Sequence, residues 1–183
     1  LSSLLTGSIY IAWNYFLITY QKNRILTLFN PESDPLGSGY HIIQSKIAIG
    51  SGGLTGKGLT NGSQSQLDFV PEQSTDFIFS VLAEEMGFLG FILLITIYSL
   101  IIYRCFSLSL RCEDNFSRLL GSSLTFVFFT YVFVNIGMVS GLVPVVGVPL
   151  PLISYGGSSL ITLMASFGII MSIHKHKSPR YLQ

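Results

Sequence analysis

Long apolar runs separated by short polar segments dominate the chain. Four of the runs are long enough to cross a bilayer, at about residues 1–20, 84–103, 119–139 and 155–173. The apolar core of the second run, residues 86–103, would cover about 27 Å as a helix, close to the thickness of the hydrocarbon layer. The pattern predicts an all-α integral membrane protein with four transmembrane helices.

Composition supports this class. The chain of 183 residues is 49% hydrophobic and 10% charged, whereas soluble domains usually carry about 25% charged residues. The net charge of +1 is uninformative, but the sequence has no stripe rich in Lys and Arg that would bind nucleic acid, so we expect no nucleic-acid partner. Cys105 and Cys112 are seven positions apart and could approach each other, but two cysteines make neither a disulfide framework nor a metal site. The sequence begins with Leu1 rather than Met, and no n-region or cleavage site precedes the first apolar run. We therefore expect the C-terminal part of a longer protein.

Basic residues predict the orientation of the spans. They cluster between the second and third spans and after the fourth: Arg104, Arg111, Arg118, Lys175, Lys177 and Arg180. Short loops rich in Lys and Arg stay in the cytoplasm. The C-terminus is therefore predicted to be cytoplasmic, and the long loop at about residues 21–83 to be extracytoplasmic.

The outer loop contains three recognisable stretches. Residues 30–37 read as a turn cluster, and HIIQSKIAI at 41–49 reads as a short amphipathic helix, although a strand also fits. The glycine run at 50–58 lacks the pattern of a phosphate-binding loop, because Ser51 and Gly58 occupy its first and last defining positions. We expect a flexible loop there.

An uncharged segment, residues 140–154, connects the third and fourth spans. It contains Pro144, Pro149 and Pro151 and several glycines. Irregular apolar backbone at membrane depth survives where protein or a water-filled cavity satisfies its polar groups. The segment is either a re-entrant wall of a cavity or an ordinary apolar hairpin, and the pattern does not decide between them.

Acidic residues concentrate at the edge of the second span. Five of the nine in the chain lie within residues 65–85: Asp68, Glu72, Asp76, Glu84 and Glu85. Pro71 suits a helix start and Ser74 or Thr75 an N-cap, so we expect a helix beginning near residue 74. Asp76 then lies at or above the lipid headgroups. These carboxylates form either a solvated polar collar or a site at the membrane surface.

Three long motifs point to a family. The segments NPESDPLGSGYHIIQSKIAIGSGGLTGKG, SQLDFVPEQSTDFIFSVLAEEMGFLG and NIGMVSGLVPVVGVPLPLISYGGSSL resemble the SEDS family (shape, elongation, division and sporulation). Within it, HIIQSKIAIGSGG and NIGMVSGLVPVVGVPLPL are more similar to the rod-shape-determining branch than to the division branch. Members of the family have ten transmembrane helices, so the resemblance implies the last four.

The resemblance also implies an activity. Members of the family are peptidoglycan glycosyltransferases that polymerise lipid II, an undecaprenyl-pyrophosphate-linked disaccharide-pentapeptide, outside the bacterial inner membrane. The expected partners are a class B penicillin-binding transpeptidase and the cell-elongation machinery. Loss of the N-terminal half would remove residues that complete the cavity, so we expect the fragment by itself to be inactive.

The family's essential aspartate lies in the motif T-D-F-[IV]-F, which corresponds to residues 75–79 here. The resemblance therefore implies that Asp76 is catalytic, as a general base. A helix N-terminus would keep Asp76 ionised, whereas a desolvated cleft would raise its pKa. The pyrophosphate leaving group needs counter-charge from Lys or Arg or from a divalent cation, Mg²⁺ or Mn²⁺. The substrate-binding candidates are Lys46, Lys57, Gln44 and Glu84.

Two other functions stay open. A transporter could move the lipid-linked precursor across the bilayer, but it would be expected to place ionisable residues near the midplane, and the first, third and fourth spans have none. A non-catalytic scaffold could activate its transpeptidase, and it would tolerate substitution of Asp76.

Overall fold

A computed structural model of the chain describes residues 18–33, 37–62 and 75–175. Within these ranges the secondary structure is helical and contains no β-strand. The α-helices are α1 (Thr19–Phe29), α2 (Ser38–Gly52), α3 (Ile78–Leu110), α4 (Asn115–Val139) and α5 (Gly157–Lys175), with a 3-10 turn at Pro31–Ser33. The predicted all-α fold is confirmed over this part of the chain, and HIIQSKIAI is helical rather than extended.

Three helices, α3, α4 and α5, are long and apolar enough to cross a membrane. They contain nearly all of the predicted spans at 84–103, 119–139 and 155–173. The first predicted span, about residues 1–20, lies almost entirely outside the described residues. The predicted outer loop is partly helical, since α1 and α2 lie within it.

The start of α3 differs from the prediction. The helix has 33 residues and begins at Ile78, with Phe77 as its N-cap. Thr75 lies in a turn rather than at the cap, and Ser74 lies outside the described residues. In this turn the Thr75 backbone carbonyl accepts a hydrogen bond from Ser154 Oγ at 2.5 Å, a tertiary contact that is not visible in the local sequence.

Aromatic side chains hold the three long helices together. Tyr98 of α3 packs edge-on against Phe128 of α4, with ring centroids 6.0 Å apart. Phe128 in turn lies 5.4 Å from Phe167 of α5. Tyr98 and Phe128 are almost fully buried, so these contacts form the centre of the core. Asp114 caps the start of α4 by accepting a hydrogen bond from the Ser117 backbone N–H at 3.2 Å.

The helix α3 is interrupted at Gly87, whose backbone has φ 65° and ψ −158°. The loop that follows α2 fills this break with four backbone hydrogen bonds. Two run from the loop into α3, from Lys57 N and Gly58 N to the carbonyls of Glu84 (3.1 Å) and Glu85 (3.0 Å). Two run back, from Phe88 N and Leu89 N to the carbonyls of Gly53 (2.9 Å) and Leu54 (3.1 Å). Backbone N–H and C=O groups on either side of the break are thus hydrogen-bonded within the protein. Lipid could not provide these hydrogen bonds.

The expectation of a flexible glycine loop was wrong. A Cβ at Gly52 would lie 2.1 Å from the Ala83 carbonyl oxygen, and one at Gly56 would lie 2.0 Å from the Glu85 carbonyl oxygen. The glycines are required here because the backbone of the loop approaches the backbone of α3 too closely for any side chain. The loop and the interrupted helix form one interlocked unit.

The irregular segment 140–156 folds back against the outer end of α3. Side chains from other elements bind its backbone carbonyls: Arg24 to Val145 at 2.5 Å, Asn135 to Val148 at 2.6 Å, and Tyr98 to Pro151 at 2.6 Å. Val145, Leu150 and Pro151 are buried. Protein side chains thus satisfy carbonyls of this segment, as the re-entrant alternative requires, and its role as the wall of a cavity stays a prediction. We call residues 140–156 the re-entrant segment.

Candidate functional site

Asp76 lies in the turn that precedes α3, between α4 and the re-entrant segment. Its backbone carbonyl accepts a hydrogen bond from Asn135 Nδ2 at 2.9 Å. The preceding carbonyl, of Thr75, is bound by Ser154. Two side chains from distant elements therefore fix the backbone on which the Asp76 carboxylate is carried.

The carboxylate of Asp76 faces the backbone of the re-entrant segment. A Cβ at Gly147 would lie 3.2 Å from Asp76 Oδ2, and Gly147 has φ 77°. On the other side of Asp76, the buried Phe77 ring packs on His41 of α2, with centroids 5.6 Å apart. Asp76 is half-buried, so these contacts place it at a junction of α2, α3 and the re-entrant segment.

Lys46 reaches the same re-entrant segment. A Cβ at Gly141 would lie 2.6 Å from Lys46 Nζ, which places the lysine tip directly over the glycine backbone. Lys46 is exposed on α2. One segment therefore contacts Lys46 at Gly141 and Asp76 at Gly147. Of the predicted substrate-binding residues, Lys46 is the one that the structure connects to Asp76 in this way.

Gln44 points away from Lys46. Residues two positions apart on a helix do not share a face, and the half-buried Gln44 makes no side-chain hydrogen bond within the described ranges. Its predicted role in substrate binding stays a prediction.

Arg24 is a site residue that sequence reasoning missed. Its guanidinium donates to the Val145 carbonyl, two residues before Gly147, and also bonds to the Tyr20 hydroxyl. The guanidinium carbon lies 4.4 Å from the Tyr20 ring centroid. No sequence signal singled it out, because Arg24 lies in a long loop that also carries Lys22, Lys46 and Lys57, where the positive-inside rule has little force.

Lys57 and Glu84 contact each other. Lys57 Nζ lies 2.7 Å from Glu84 Oε1, and Ser51 Oγ donates to the same oxygen at 3.4 Å. Glu84 is completely buried, so the solvated-collar interpretation is wrong for this residue. Glu85 is partly exposed and accepts a hydrogen bond from the Thr60 backbone N–H at 3.0 Å. Whether Lys57 or Glu84 binds substrate stays a prediction.

The described residues contain no group of three or more His, Cys, Asp or Glu side chains placed to hold a metal ion. Asp68 and Glu72 lie outside those residues. Within the described ranges, three charged side chains contact the re-entrant segment at the distances given above: Asp76, Lys46 and Arg24. These three side chains contact a common segment, and a carboxylate can accept a proton while cations bind an anionic group.

Comparisons with known proteins identify relatives. The FtsW/RodA/SpoVE family model, described as cell cycle protein, matches residues 1–179. The peptidoglycan glycosyltransferase MrdB of Escherichia coli K12 is 59% identical over 174 residues, which cover 95% of this chain and 47% of that protein. The peptidoglycan glycosyltransferase RodA of Treponema pallidum is 47% identical over 155 residues, covering 85% of this chain and 36% of that protein.

A solved structure is also similar. It is described as showing the structural coordination of polymerization and crosslinking by a peptidoglycan synthase complex. The match has a TM-score of 0.73 and 36% identity, and it covers 97% of this chain and 49% of that chain. The chain thus spans about half or less of the length of these proteins. The predicted resemblance to the SEDS family and the multi-pass membrane class are confirmed: the chain belongs to the FtsW/RodA/SpoVE family of cell cycle proteins.

Proposed function

We propose that the protein containing this chain is a peptidoglycan glycosyltransferase that polymerises lipid II, with Asp76 as its general base. The observation that carries the proposal is that one acidic and two basic side chains contact the re-entrant segment. Gly141, Val145 and Gly147 of this segment contact Lys46, Arg24 and Asp76 respectively. The names of the relatives support the same reaction.

The reaction makes demands that these side chains meet. A sugar 4-hydroxyl attacks an anomeric carbon, the new glycosidic C–O bond forms, and the bond to the undecaprenyl pyrophosphate oxygen breaks. Asp76 takes the proton of the attacking hydroxyl, which is otherwise a poor nucleophile. Lys46 and Arg24 supply positive charge for the pyrophosphate as it departs.

A divalent cation is part of the proposal as an additional source of counter-charge. Mg²⁺ is commonly bound by one or two carboxylates together with substrate phosphates rather than by a complete set of protein ligands. Because Asp76 is the proposed base, the pyrophosphate oxygens of the substrate would hold most of such a cation, and Mn²⁺ would meet the same oxygen donors.

We also propose that the protein lies in the bacterial inner membrane with its C-terminus in the cytoplasm and residues 21–83 in the periplasm. The distribution of Lys and Arg supports this orientation. A class B penicillin-binding transpeptidase and the elongation machinery are the proposed partners. The similarity to a peptidoglycan synthase complex and the rod-shape motifs support them.

The test is a polymerisation assay on the full-length protein in complex with its transpeptidase, supplied with purified lipid II. The wild-type complex should make glycan strands, and Lys46→Ala should raise KM for lipid II because a phosphate contact is lost. Lys22→Ala, at a half-buried position on α1, is the matched control and should change KM little. Absence of glycan from the wild-type complex, or transfer of lipid II across liposomes without polymerisation, would overturn the proposal.

A further inference from the structure

The buried ion pair between Lys57 and Glu84 has no part in the chemistry above. Glu84 is fully buried, and its carboxylate lies 2.7 Å from the Lys57 ammonium group. A buried carboxylate is strongly disfavoured without a charged partner. Removal of Lys57 would leave the buried Glu84 charge without this partner, and the location of the pair in the fold indicates what it holds in place.

The pair lies at the break in α3. Glu84 is three residues before Gly87, where the helix is interrupted, and Lys57 lies in the loop whose backbone enters that break. The outer part of α3, residues 78–86, leads directly from Asp76 to the break. We call residues 78–86 the outer half-helix.

The outer half-helix is attached to α2 at both ends. At its start, Phe77 packs on His41. At its end, Gly52 of α2 meets the backbone of Ala83, and the Lys57–Glu84 ion pair closes the contact. Since the helical hydrogen bonds are interrupted at Gly87, the rest of α3 does not by itself fix the direction of the outer half-helix. Asn135 and Ser154 hold the turn before its start, and the attachment to α2 holds its end at the break.

We propose that Lys57 and Glu84 are positioning residues that hold the outer half-helix against α2, and so fix the spacing between Asp76 and Lys46. The inference rests on the proposed function. A charged pair suits this task because the Lys57 ammonium group stabilises the buried Glu84 carboxylate, which also accepts a hydrogen bond from Ser51 Oγ. Neither residue contacts the substrate in this account.

The first measurement reports geometry and needs no enzymatic activity. Spin labels at Ile47 of α2 and Val81 of the outer half-helix, in a Cys105→Ala/Cys112→Ala background of the full-length protein, give a distance distribution. It should be narrow in the wild type and broader or shifted in Lys57→Ala and Glu84→Gln. The charge swap Lys57→Glu/Glu84→Lys should restore it at least in part. Glu85→Gln is the matched control, since Glu85 is partly exposed and receives one backbone hydrogen bond.

The second measurement is lipid II polymerisation by the same variants in complex with the transpeptidase. Each single variant should lower kcat by about 10- to 100-fold with KM little changed, because a 1 Å misplacement can cost that much. The kcat of the charge-swap variant Lys57→Glu/Glu84→Lys should be no lower than that of either single variant. If the single variants do not fold, Lys57→Met/Glu84→Gln removes both charges together, and its kcat should still fall about tenfold.

The outcomes separate the two proposals. An unchanged label distance in folded single variants, a wild-type kcat in the double uncharged variant, or an effect confined to KM would overturn the positioning role. A wild-type complex that makes no glycan, combined with label distances that respond as expected, would overturn the proposed function and support the positioning role.

Discussion

The side-chain amide of Asn135, near the outer end of α4, donates a hydrogen bond to the backbone carbonyl of Asp76. The same amide donates to the Val148 carbonyl of the re-entrant segment at 2.6 Å. Asn135 is fully buried. One amide group therefore connects the turn that carries the candidate base to the segment that faces it.

We expect Asn135→Ala to destabilise the protein and reduce its activity. The substitution leaves two carbonyls without their donor, and each loss costs about 1–3 kcal/mol. The measurement is the free energy of unfolding of the purified full-length protein, with Asn115→Ala as the control. Asn115 lies exposed at the start of the same helix, and its replacement should change stability by less than about 0.5 kcal/mol. Equal effects of the two substitutions would contradict this account of Asn135.

The apolar spans could be predicted because the signal for them is local. A helix in lipid needs an uninterrupted run of apolar residues, and such a run is visible in the sequence for α3, α4 and α5. The position of Asp76 at the edge of α3 followed from its place just before such a run. Its catalytic role came from the family motif and stays a prediction.

The contacts that build the candidate site have no local signal. Arg24 and Val145 are 121 positions apart, and Lys57 and Glu84 are 27 apart. Nothing in the residues near Arg24 indicates that the re-entrant segment will fold onto it. The glycines of the loop indicate that a close approach is needed, but they do not identify the backbone of α3 as the partner.

Replacement by alanine should lower the stability of the protein at Gly87 and raise it at Gly50. Gly87 has a backbone conformation that is nearly exclusive to glycine, and its Cβ would lie 2.3 Å from the Gly56 nitrogen. We expect the backbone conformation alone to make Gly87→Ala cost about 1–3 kcal/mol, and the overlap of its Cβ with the loop to add to this cost or to prevent accumulation of folded protein. Gly50 is helical with no atom within 4 Å of its Cβ position, so Gly50→Ala should stabilise α2 by up to about 1 kcal/mol.

Unfolding midpoints of the two glycine variants, measured side by side on the full-length protein, check this prediction. A tolerated Gly87→Ala substitution would show that the interruption of α3 is not maintained in the folded protein.

The orientation can be measured with single cysteines in a Cys105→Ala/Cys112→Ala background. Leu59 is 71% exposed in the loop beside the break in α3, and Asn115 is exposed between α3 and α4. A membrane-impermeant thiol reagent should label Leu59→Cys in cells stripped of their outer membrane. It should label Asn115→Cys only after the inner membrane is permeabilised. The reverse pattern would place Asp76 on the cytoplasmic side, away from the proposed reaction.

The most direct test of the catalytic assignment is lipid II polymerisation by full-length Asp76→Asn protein in complex with its transpeptidase. Asparagine keeps the size of the side chain but cannot accept a proton at neutral pH. Polymerisation should therefore fall by at least about 100-fold, the lower end expected for loss of a general base, while membrane insertion and binding to the transpeptidase stay intact. Asp114→Asn, which keeps an equivalent N-cap for α4, should leave the rate unchanged. Long glycan strands made by a well-folded Asp76→Asn complex would show that Asp76 is not the catalytic base.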